Sequence, residues 1–555
     1  MFTHFTPAQH AVHYPADRRL YIGLRKEVWY IICLTVVIFF GAAWLQYLIQ
    51  GLPADPSAKL LNNSKGSSGF PWWVVLCHWV NFFFLILLIR SGLSVLADHP
   101  RLYWNNSCRP GTEWLRFTPV NVPPGKLWTA KEDARYLSPM IGLPGYKHTV
   151  GVARHWHFIS VPFFLLNGVV FIILLFLTDH WQRIVPVSWS IIPDAWSVFV
   201  YYATFNMPIE PNGYFHYNAL QQLSYFAIVF LFAPLAMLSG MAMSPAIENR
   251  FHWLPKLFIN RQGARSVHFL VMLGYLAFTL VHVFMVAATG LKRNMNHITL
   301  GTDDAADPMG MYFGGAILMF VIAFCFFAHW VSWRKPRFLQ RLAAFINGNL
   351  WLHSINKLKP KSYFEKKDIT PYFWSNGKIP ESKVWNALAE GDFKDYKLKI
   401  GGLVEHQVEL SLEDLKALAK EQNITMHHCI QGWSGIAEWG GIPIRKLVDL
   451  VKPHDSVQTV VFYSYGEGLY GGVYYDTHTL DNCLKPASIL AWEMNYAPLP
   501  VQYGAPLRLR IENQLGYKLV KWIERIEFVE SHTTVGKGYG GKNEDDEYFD
   551  LIANS

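Results

Sequence analysis

Six stretches of this chain are apolar over a length that no ordinary core helix needs. They run from about Val28–Gln50, Trp72–Ala97, His155–Thr178, Tyr217–Met241, Ser266–Gly290 and Met311–Trp333. A helix needs roughly 20 mostly apolar residues to cross a bilayer core. Trp and Tyr gather at the ends of these runs, as they do at a membrane interface. The pattern predicts six spanning helices. Beyond them it changes. Pro336 to Asp368 is basic, with Lys357, Lys359, Lys361, Lys366 and Lys367, and reads as a solvated amphipathic connector. From Ile369 the apolar positions come in short mixed runs. Thr459–Ser464 and Leu507–Ile511 read as strands. Ser411–Lys420 reads as a short helix with Ser411 as N-cap and Asp414 three residues on. The tail from Thr533 to Ser555 is rich in Gly, Lys, Asp and Glu and reads as mobile. The expected fold class is an all-α transmembrane helix bundle of six spans followed by an α+β domain. The expected divisions are a cytoplasmic N-terminus over 1–27, the bundle over 28–335, the connector over 336–368, the mixed domain over 369–531 and the polar tail over 532–555.

Charge adds orientation. The N-terminus and the even-numbered loops carry sixteen Lys and Arg, and the odd-numbered loops carry five. Positive charge is retained on the cytoplasmic side, so both termini are expected there. Arg334, Lys335, Arg337 and Arg341, just past the last span, agree. The net charge of +8 sits beside spans, which speaks for topology and against nucleic acid as partner. The first 20 residues are polar, and no cleavable signal peptide or twin-arginine leader is expected. The six cysteines show no paired spacing, so neither a disulfide framework nor a zinc or iron–sulfur motif is expected.

Ionisable side chains within spans are costly and mark function by default. His268 and His282 are 14 residues apart on the fifth run. At 100° and 1.5 Å per residue they return to within about 40° of one face and lie roughly 21 Å apart along the axis. One helix thus offers two imidazoles, one near each side of the bilayer. That is what ligation of two stacked haems requires, with a second axial ligand for each from another helix. Parity of the spans pairs His157 with His268 and His78 with His282. His155, two residues from His157, is the alternative ligand there. Arg90, inside the second run, is a candidate to snorkel or to neutralise a haem propionate.

The other dense stretch is Ile424–Val448, ITMHHCIQGWSGIAEWGGIPIRKLV. It holds Cys429 between a pair of histidines and a Gly-Trp-Ser turn. A thiol there is a packed core residue, a nucleophile or a soft-metal ligand. Glycines nearby allow close approach of backbone to a ligand. Arg508, Lys518 and Lys521 follow in a form suited to an anionic cofactor. His427 and His428 flank the thiol, for packing or, in one of them, for a hydrogen bond to a cofactor or the guiding of protons.

These residues carry two resemblances. Ile424–Val448 and Gln502–Val529 resemble the molybdopterin-binding domain of the sulfite oxidase fold, over about residues 365–531. The branch they resemble is the bacterial methionine-sulfoxide reductase catalytic subunit, with its Cys-x-x-x-Trp-Ser stretch. The resemblance implies that Cys429 is the thiolate ligand of molybdenum. It implies that Ser464, Arg508 and Leu519-Val520-Lys521 hold the pterin and its phosphate, with Asn376 and His428 as further cofactor contacts. Tyr503 stands where relatives place Asn or His, and the arginine-rich run of true sulfite oxidases is missing. HWVNFFFLILLIRSG, RHWHFISVPFFLLNG and QGARSVHFLVMLGYLAFTLVH resemble the bacterial cytochrome b of the formate dehydrogenase gamma-subunit and cytochrome b561 type, over about residues 70–335.

Together these imply a multi-pass enzyme of the bacterial inner membrane. It would hold one molybdopterin and two b haems, and join two-electron, oxygen-atom-type chemistry on a small substrate to electron transfer across the bilayer. The electron partner would be quinone or quinol, or an extracytoplasmic redox protein, with a homo-oligomer as a further possibility. Molybdopterin is inserted into such folds in the cytoplasm, which suits a cytoplasmic C-terminal domain. Two competing classes are an electron-transfer cytochrome b with a docking module free of molybdenum, and a transporter whose histidines line a proton path.

Overall fold

The computed structural model describes residues 22–55, 69–118, 129–145, 149–206, 213–347, 364–512 and 514–551. The basic positions Arg18, Arg19, Lys59, Lys65, Lys126, Lys147, Lys357, Lys359 and Lys361 lie outside them. Among the described residues, six helices are long and apolar enough to cross a membrane. They are Lys26–Gln50, Trp72–Asp98, Val150–Leu177, Ala219–Ala242, Arg261–Ala288 and Met309–Arg334. They coincide with the six apolar runs. The third starts at Val150 rather than His155, because Thr149 caps it and its side chain accepts from Val152 N. Outward-facing Leu166, Val281, Phe284 and Phe320 are exposed, the surface a bilayer would cover. The fourth span is irregular: Ala227–Phe232 form a π turn inside it. A widened turn of this kind re-aims side chains. Here Phe232 lies over Gly274 of the fifth span, leaving no room for a Cβ at that position.

The starts of spans one, three and five and the ends of two, four and six share one end of the bundle. There Gly23–Leu24, Arg101–Leu102 and Leu115–Arg116 form a three-stranded sheet. Helix Pro336–Asn347 follows the last span. The expected solvated connector is in this part docked: Leu339 and Ala343 are buried against Val152 and Trp156 of span three. An amphipathic stretch buries its apolar face wherever a neighbour offers one.

The second unit is built on two five-stranded sheets. Its strands are β1 (Lys397–Gly402), β2 (Val408–Ser411), β3 (Glu421–His428), β4 (Ser434–Pro443), β5 (Thr459–Glu467), β6 (Val473–Thr479), β7 (Ile489–Met494), β8 (Ala497–Pro498), β9 (Arg508–Arg510) and β10 (Ile523–Val529). One sheet runs β8-β7-β4-β3, with β9 also paired to β7; the other runs β2-β1-β10-β5-β6. Among the described strands of this unit, β1 and β10 are the pair that runs parallel. The core between them includes Leu398, Ile442, Phe462, Leu490, Leu509, Val520 and Ile526. Ser411 caps the helix Leu412–Leu418 with Asp414 completing the capping box.

The tail is ordered through Leu551, against its reading as mobile. Its residues 544–549 are gripped through their carbonyls. Arg337 donates to those of Glu544 and Asp545, Gln340 to that of Phe549, and His155 Nε2 to that of Tyr548 at 2.8 Å. Composition reports side chains, and here the buried donors act on the main chain. The tail thus straps the second unit to span three and to the helix that follows span six.

Candidate functional site

Cys429 sits at the tip of the β3–β4 hairpin. The register pairs His428 with Ser434, leaving Cys429–Trp433 as the connecting loop. Gly432 closes it at φ 105°, a left-handed conformation that L side chains rarely adopt, and Gly432 N donates to Cys429 O at 3.0 Å. The thiol is 4% exposed. Asn376 Nδ2 lies 3.3 Å from Sγ and 2.7 Å from Gln431 Oε1, which is 3.6 Å from Sγ. Burial pushes the thiol up to about 12, against a backbone hydrogen bond from Gln431 and the Asn376 amide. At neutral pH such a sulfur is held as the thiol. Just before it on β3, burial and nearby guanidinium groups hold His427 and His428 well below the usual imidazole range. His427 Nδ1 is 2.9 Å from Arg510 Nη1, whereas neither nitrogen of His428 has a hydrogen-bond partner.

Two cations lie on the stretch 508–521, the Arg508 guanidinium buried and the Lys521 ammonium half-buried. Arg508 Nη1 donates to Tyr503 O at 2.9 Å, and Lys521 Nζ to Gln502 O at 2.9 Å and Ser375 Oγ at 3.3 Å. Neither forms an ion pair within 4.0 Å among the described residues. Burial, then mutual repulsion, holds Lys521 well below the usual ammonium range; burial and Arg510 do the same to Arg508. A buried guanidinium and a half-buried ammonium without a carboxylate between them suit an anion. Gly504, at φ 122°, lets the chain pass between them, since a Cβ there would lie 3.0 Å from the Cβ atoms of both. Replacing Lys521 by methionine is expected to lower co-purifying molybdenum and pterin by about tenfold or more, read by metal analysis and pterin fluorescence.

The other residues expected to contact the cofactor divide. Asn376 reaches the thiol. Ser464 donates to Lys521 O at 2.7 Å, so it holds the loop that carries Lys521. Leu519 and Val520 pack in the core. Lys518 is a correction. Its ammonium lies 2.5 Å from both Asp476 and Glu544, all three buried, so it is spent inside the domain. Tyr503 donates to Phe373 O at 2.7 Å and braces the strand leading to Asn376.

Sequence reasoning missed the wall that the membrane half supplies. Arg261 Nη1 and Gln262 Nε2 donate to Gly432 O at 3.2 and 3.0 Å. Gln431 Nε2 donates to Asp98 O at 3.2 Å. Glu248 Oε2 lies 3.9 Å from His428 Nδ1, and burial, opposed by Arg261, raises its carboxyl to about 7. The hairpin tip is therefore roofed by the start of span five and the end of span two. No local pattern announces this, because the partners lie 170 residues or more apart.

Within the bundle, the structure brings the predicted imidazoles together. The ring centroids of His157 and His268 are 6.4 Å apart, and those of His78 and His282 also 6.4 Å. Two imidazoles on opposite sides of one metal, each bonded at about 2.0–2.1 Å with its ring centre about 1.1 Å behind the nitrogen, have centroids about 6.3 Å apart. His268 Nδ1 lies 3.1 Å from Ala236 O and 3.0 Å from Ser239 Oγ. A carbonyl only accepts, so Nδ1 carries the proton and Nε2 keeps its lone pair for a metal. His157 Nδ1 is 3.2 Å from Ser91 Oγ. Ser91-Gly92 and Ser239-Gly240 play matching parts: the hydroxyl meets Nδ1, and the glycine lies against the same ring, where a Cβ would be in ordinary contact with Cε1 at 3.4 or 3.5 Å. This repeated Ser-Gly pair was the available sequence signal for spans two and four. Each pair fits the axial ligation of a haem. His155 faces the tail instead, and Arg90 donates to Pro139 O at 2.6 Å and meets His329 Nε2 at 2.8 Å, tying span two to span six.

Comparison with known proteins follows the same division. Residues 69–299 match the family model for prokaryotic cytochrome b561, and residues 386–535 that for the oxidoreductase molybdopterin binding domain. A putative protein-methionine-sulfoxide reductase subunit, YedZ1, of Azospira oryzae is 29% identical over 33% of this chain and 65% of its own length. The protein-methionine-sulfoxide reductase catalytic subunit MsrP of Xanthomonas axonopodis pv. citri is 32% identical over 30% of this chain and 54% of its own. The chain thus spans between half and two thirds of the length of these curated relatives. The sulfane dehydrogenase SoxCD of Paracoccus pantotrophus aligns over 26% of this chain and 42% of its own, at 20% identity and a TM-score of 0.23, too slight a likeness to carry an argument. Two family domains meet in this one chain: a prokaryotic cytochrome b561 domain that spans the membrane and, after it, an oxidoreductase molybdopterin-binding domain.

Proposed function

We propose that this chain is a membrane-bound molybdopterin oxidoreductase that joins two-electron, oxygen-atom-type chemistry to electron transfer across the bilayer. The observation that carries it is the spacing of the two imidazole pairs, 6.4 Å in each, at opposite ends of one bundle with a thiol site at one end. Cys429 would hold molybdenum, with Arg508 and Lys521 seating the anionic part of the pterin and Asn376 beside the sulfur. His157/His268 and His78/His282 would each hold a b haem. The metal and the haems supply oxygen-atom and one-electron chemistry when bound. The chain's own part is to fix ligands, separate the centres and exclude water.

The pair His157/His268 begins two turns from the roofed hairpin, which favours it as the redox neighbour of the thiol site. The relatives bear the name of reductases of methionine sulfoxide in protein. Here the roof over a thiol 4% exposed favours a small oxide or oxygen acceptor instead. At the far end, Phe70, Trp72, Val75, Trp79, Leu300 and Ile317 line a recess of about 360 Å³. Trp79 lies 5.2 Å from the His78 ring, and Trp72 is exposed at the lipid-facing surface. An apolar aromatic recess open to the bilayer suits a quinone ring. The Lys and Arg excess on the side of the second domain supports a cytoplasmic position for it, in the inner membrane of a bacterium.

The test is joint metal and haem analysis of the purified full chain. One molybdenum and about two b haems per chain are expected. Haem without molybdenum would favour a docking module, and a reduced-minus-oxidised spectrum lacking b-type bands would end the reading.

A further inference from the structure

The segment leaving span two, Asp98–Tyr103, is held from three directions. Arg265 donates to His99 O at 2.6 Å and to Arg101 O at 2.7 Å. The Arg101 side chain is buried 2.7 Å from both Asp133 and Glu113. Asp98 O accepts from Gln431 in the thiol hairpin. A segment so fixed presents its side chains in set positions.

His99 is 0% exposed, and neither of its ring nitrogens has a hydrogen-bond partner. It meets Trp374 edge-to-face at 5.1 Å and stacks near Tyr103 at 6.0 Å. The Tyr103 hydroxyl, equally buried, is also unpartnered. Trp374 stands two residues before Asn376, whose amide touches the thiol, and Tyr103, Trp374 and Cys429 belong to one packed cluster. Among the described residues, the buried histidines with both nitrogens unpartnered are His99 and His428. One lies on the segment leaving span two, and the other adjoins Cys429. Buried polar groups are hydrogen-bonded in native proteins, so neighbouring orphans such as His99 and Tyr103 mark where a polar ligand belongs.

We infer that His99 is a hydrogen-bonding contact from the membrane domain to the pterin cofactor held at Cys429, with Tyr103 beside it, so that the cofactor is gripped by both halves of the chain. This rests on the reading of Cys429 as a molybdenum ligand. A pterin offers ring nitrogens, an amine and a carbonyl, which match an imidazole that can donate at one nitrogen and accept at the other. The cofactor would then act as a bridge between the two domains.

The test uses the full-length protein and compares His99→Gln with His99→Met. The two replacements are alike in length and differ in hydrogen bonding. Molybdenum and pterin are measured before and after prolonged dialysis, together with the Mo(V) paramagnetic resonance spectrum, while the b-haem bands report folding of the membrane half. The methionine variant is expected to lose cofactor roughly 10–100-fold faster than the wild type, with haem unchanged. The glutamine variant is expected to recover most of the retention. Wild-type retention and an unaltered Mo(V) spectrum in the methionine variant would overturn the inference, and so would equal loss in both variants. If haem loss shows that either variant misfolds, Tyr103→Phe, which removes one oxygen, replaces it under the same criteria. Wild-type protein free of molybdenum would instead remove the reading beneath the inference.

Discussion

Cys429→Ser is expected to abolish molybdenum chemistry and leave the b-haem spectrum untouched. The loss should be on the order of a thousandfold or more, beyond the roughly 10–100-fold cost of removing an outer partner of a metal ligand. The reason is ligand softness. A thiolate binds a soft metal centre that a hydroxyl oxygen holds poorly. Serine keeps the size and the loop: Gly432 still closes the turn, and Asn376 and Gln431 still have a polar atom to face. The imidazole pairs lie in another domain and share no ligand with the thiol. Turnover assays and metal analysis read the first effect, and the reduced-minus-oxidised spectrum reads the second. Molybdenum-dependent turnover that survives in the serine variant would sink the assignment.

His268→Ala should remove one of two haems and spare the other. The variant leaves His157 without an opposing ring and removes the imidazole that meets Ala236 O and Ser239 Oγ. His282 lies four turns along the same helix, roughly 21 Å away, and faces His78. That distance exceeds the roughly 7–10 Å within which substitutions couple. The b-band amplitude should therefore fall to about half. His78→Ala should do the same through the other pair, and the double variant should leave no b-band. A full haem complement in His268→Ala, or loss of both haems in a single variant that stays folded, would contradict the pairing. The His268 variant should also cut the thiol site off from electrons supplied at the far end, because the near pair stands between them.

How far each feature could be read from the chain depends on how local its cause is. Ser411 and Asp414 announced a helix start because a capping box closes within four residues. His427 to Trp433 announced a special turn but not its roof, since Arg261 and Gln262 arrive from another domain. Lys518 looked like an anion contact for the same reason that Lys521 does: a basic residue in a Gly-Tyr-Lys-Leu-Val-Lys run. The fold separates them. Asp476, on β6, and Glu544, in the tail, neutralise Lys518, while Lys521 meets a carbonyl, a hydroxyl and the Trp522 ring, with no carboxylate within 4.0 Å among the described residues.

By itself the sequence determined the number and placement of the spans, and the four-turn spacing that sets His268 and His282 on one face. Both follow from the rise and twist of a helix, which the backbone imposes without reference to neighbours. Only the tertiary structure decided that His157 rather than His155 turns toward His268, that the polar tail is bound, and that the thiol is covered by the membrane half. Those outcomes depend on which distant donors and rings come within a few ångströms, and periodicity along a chain carries no record of that.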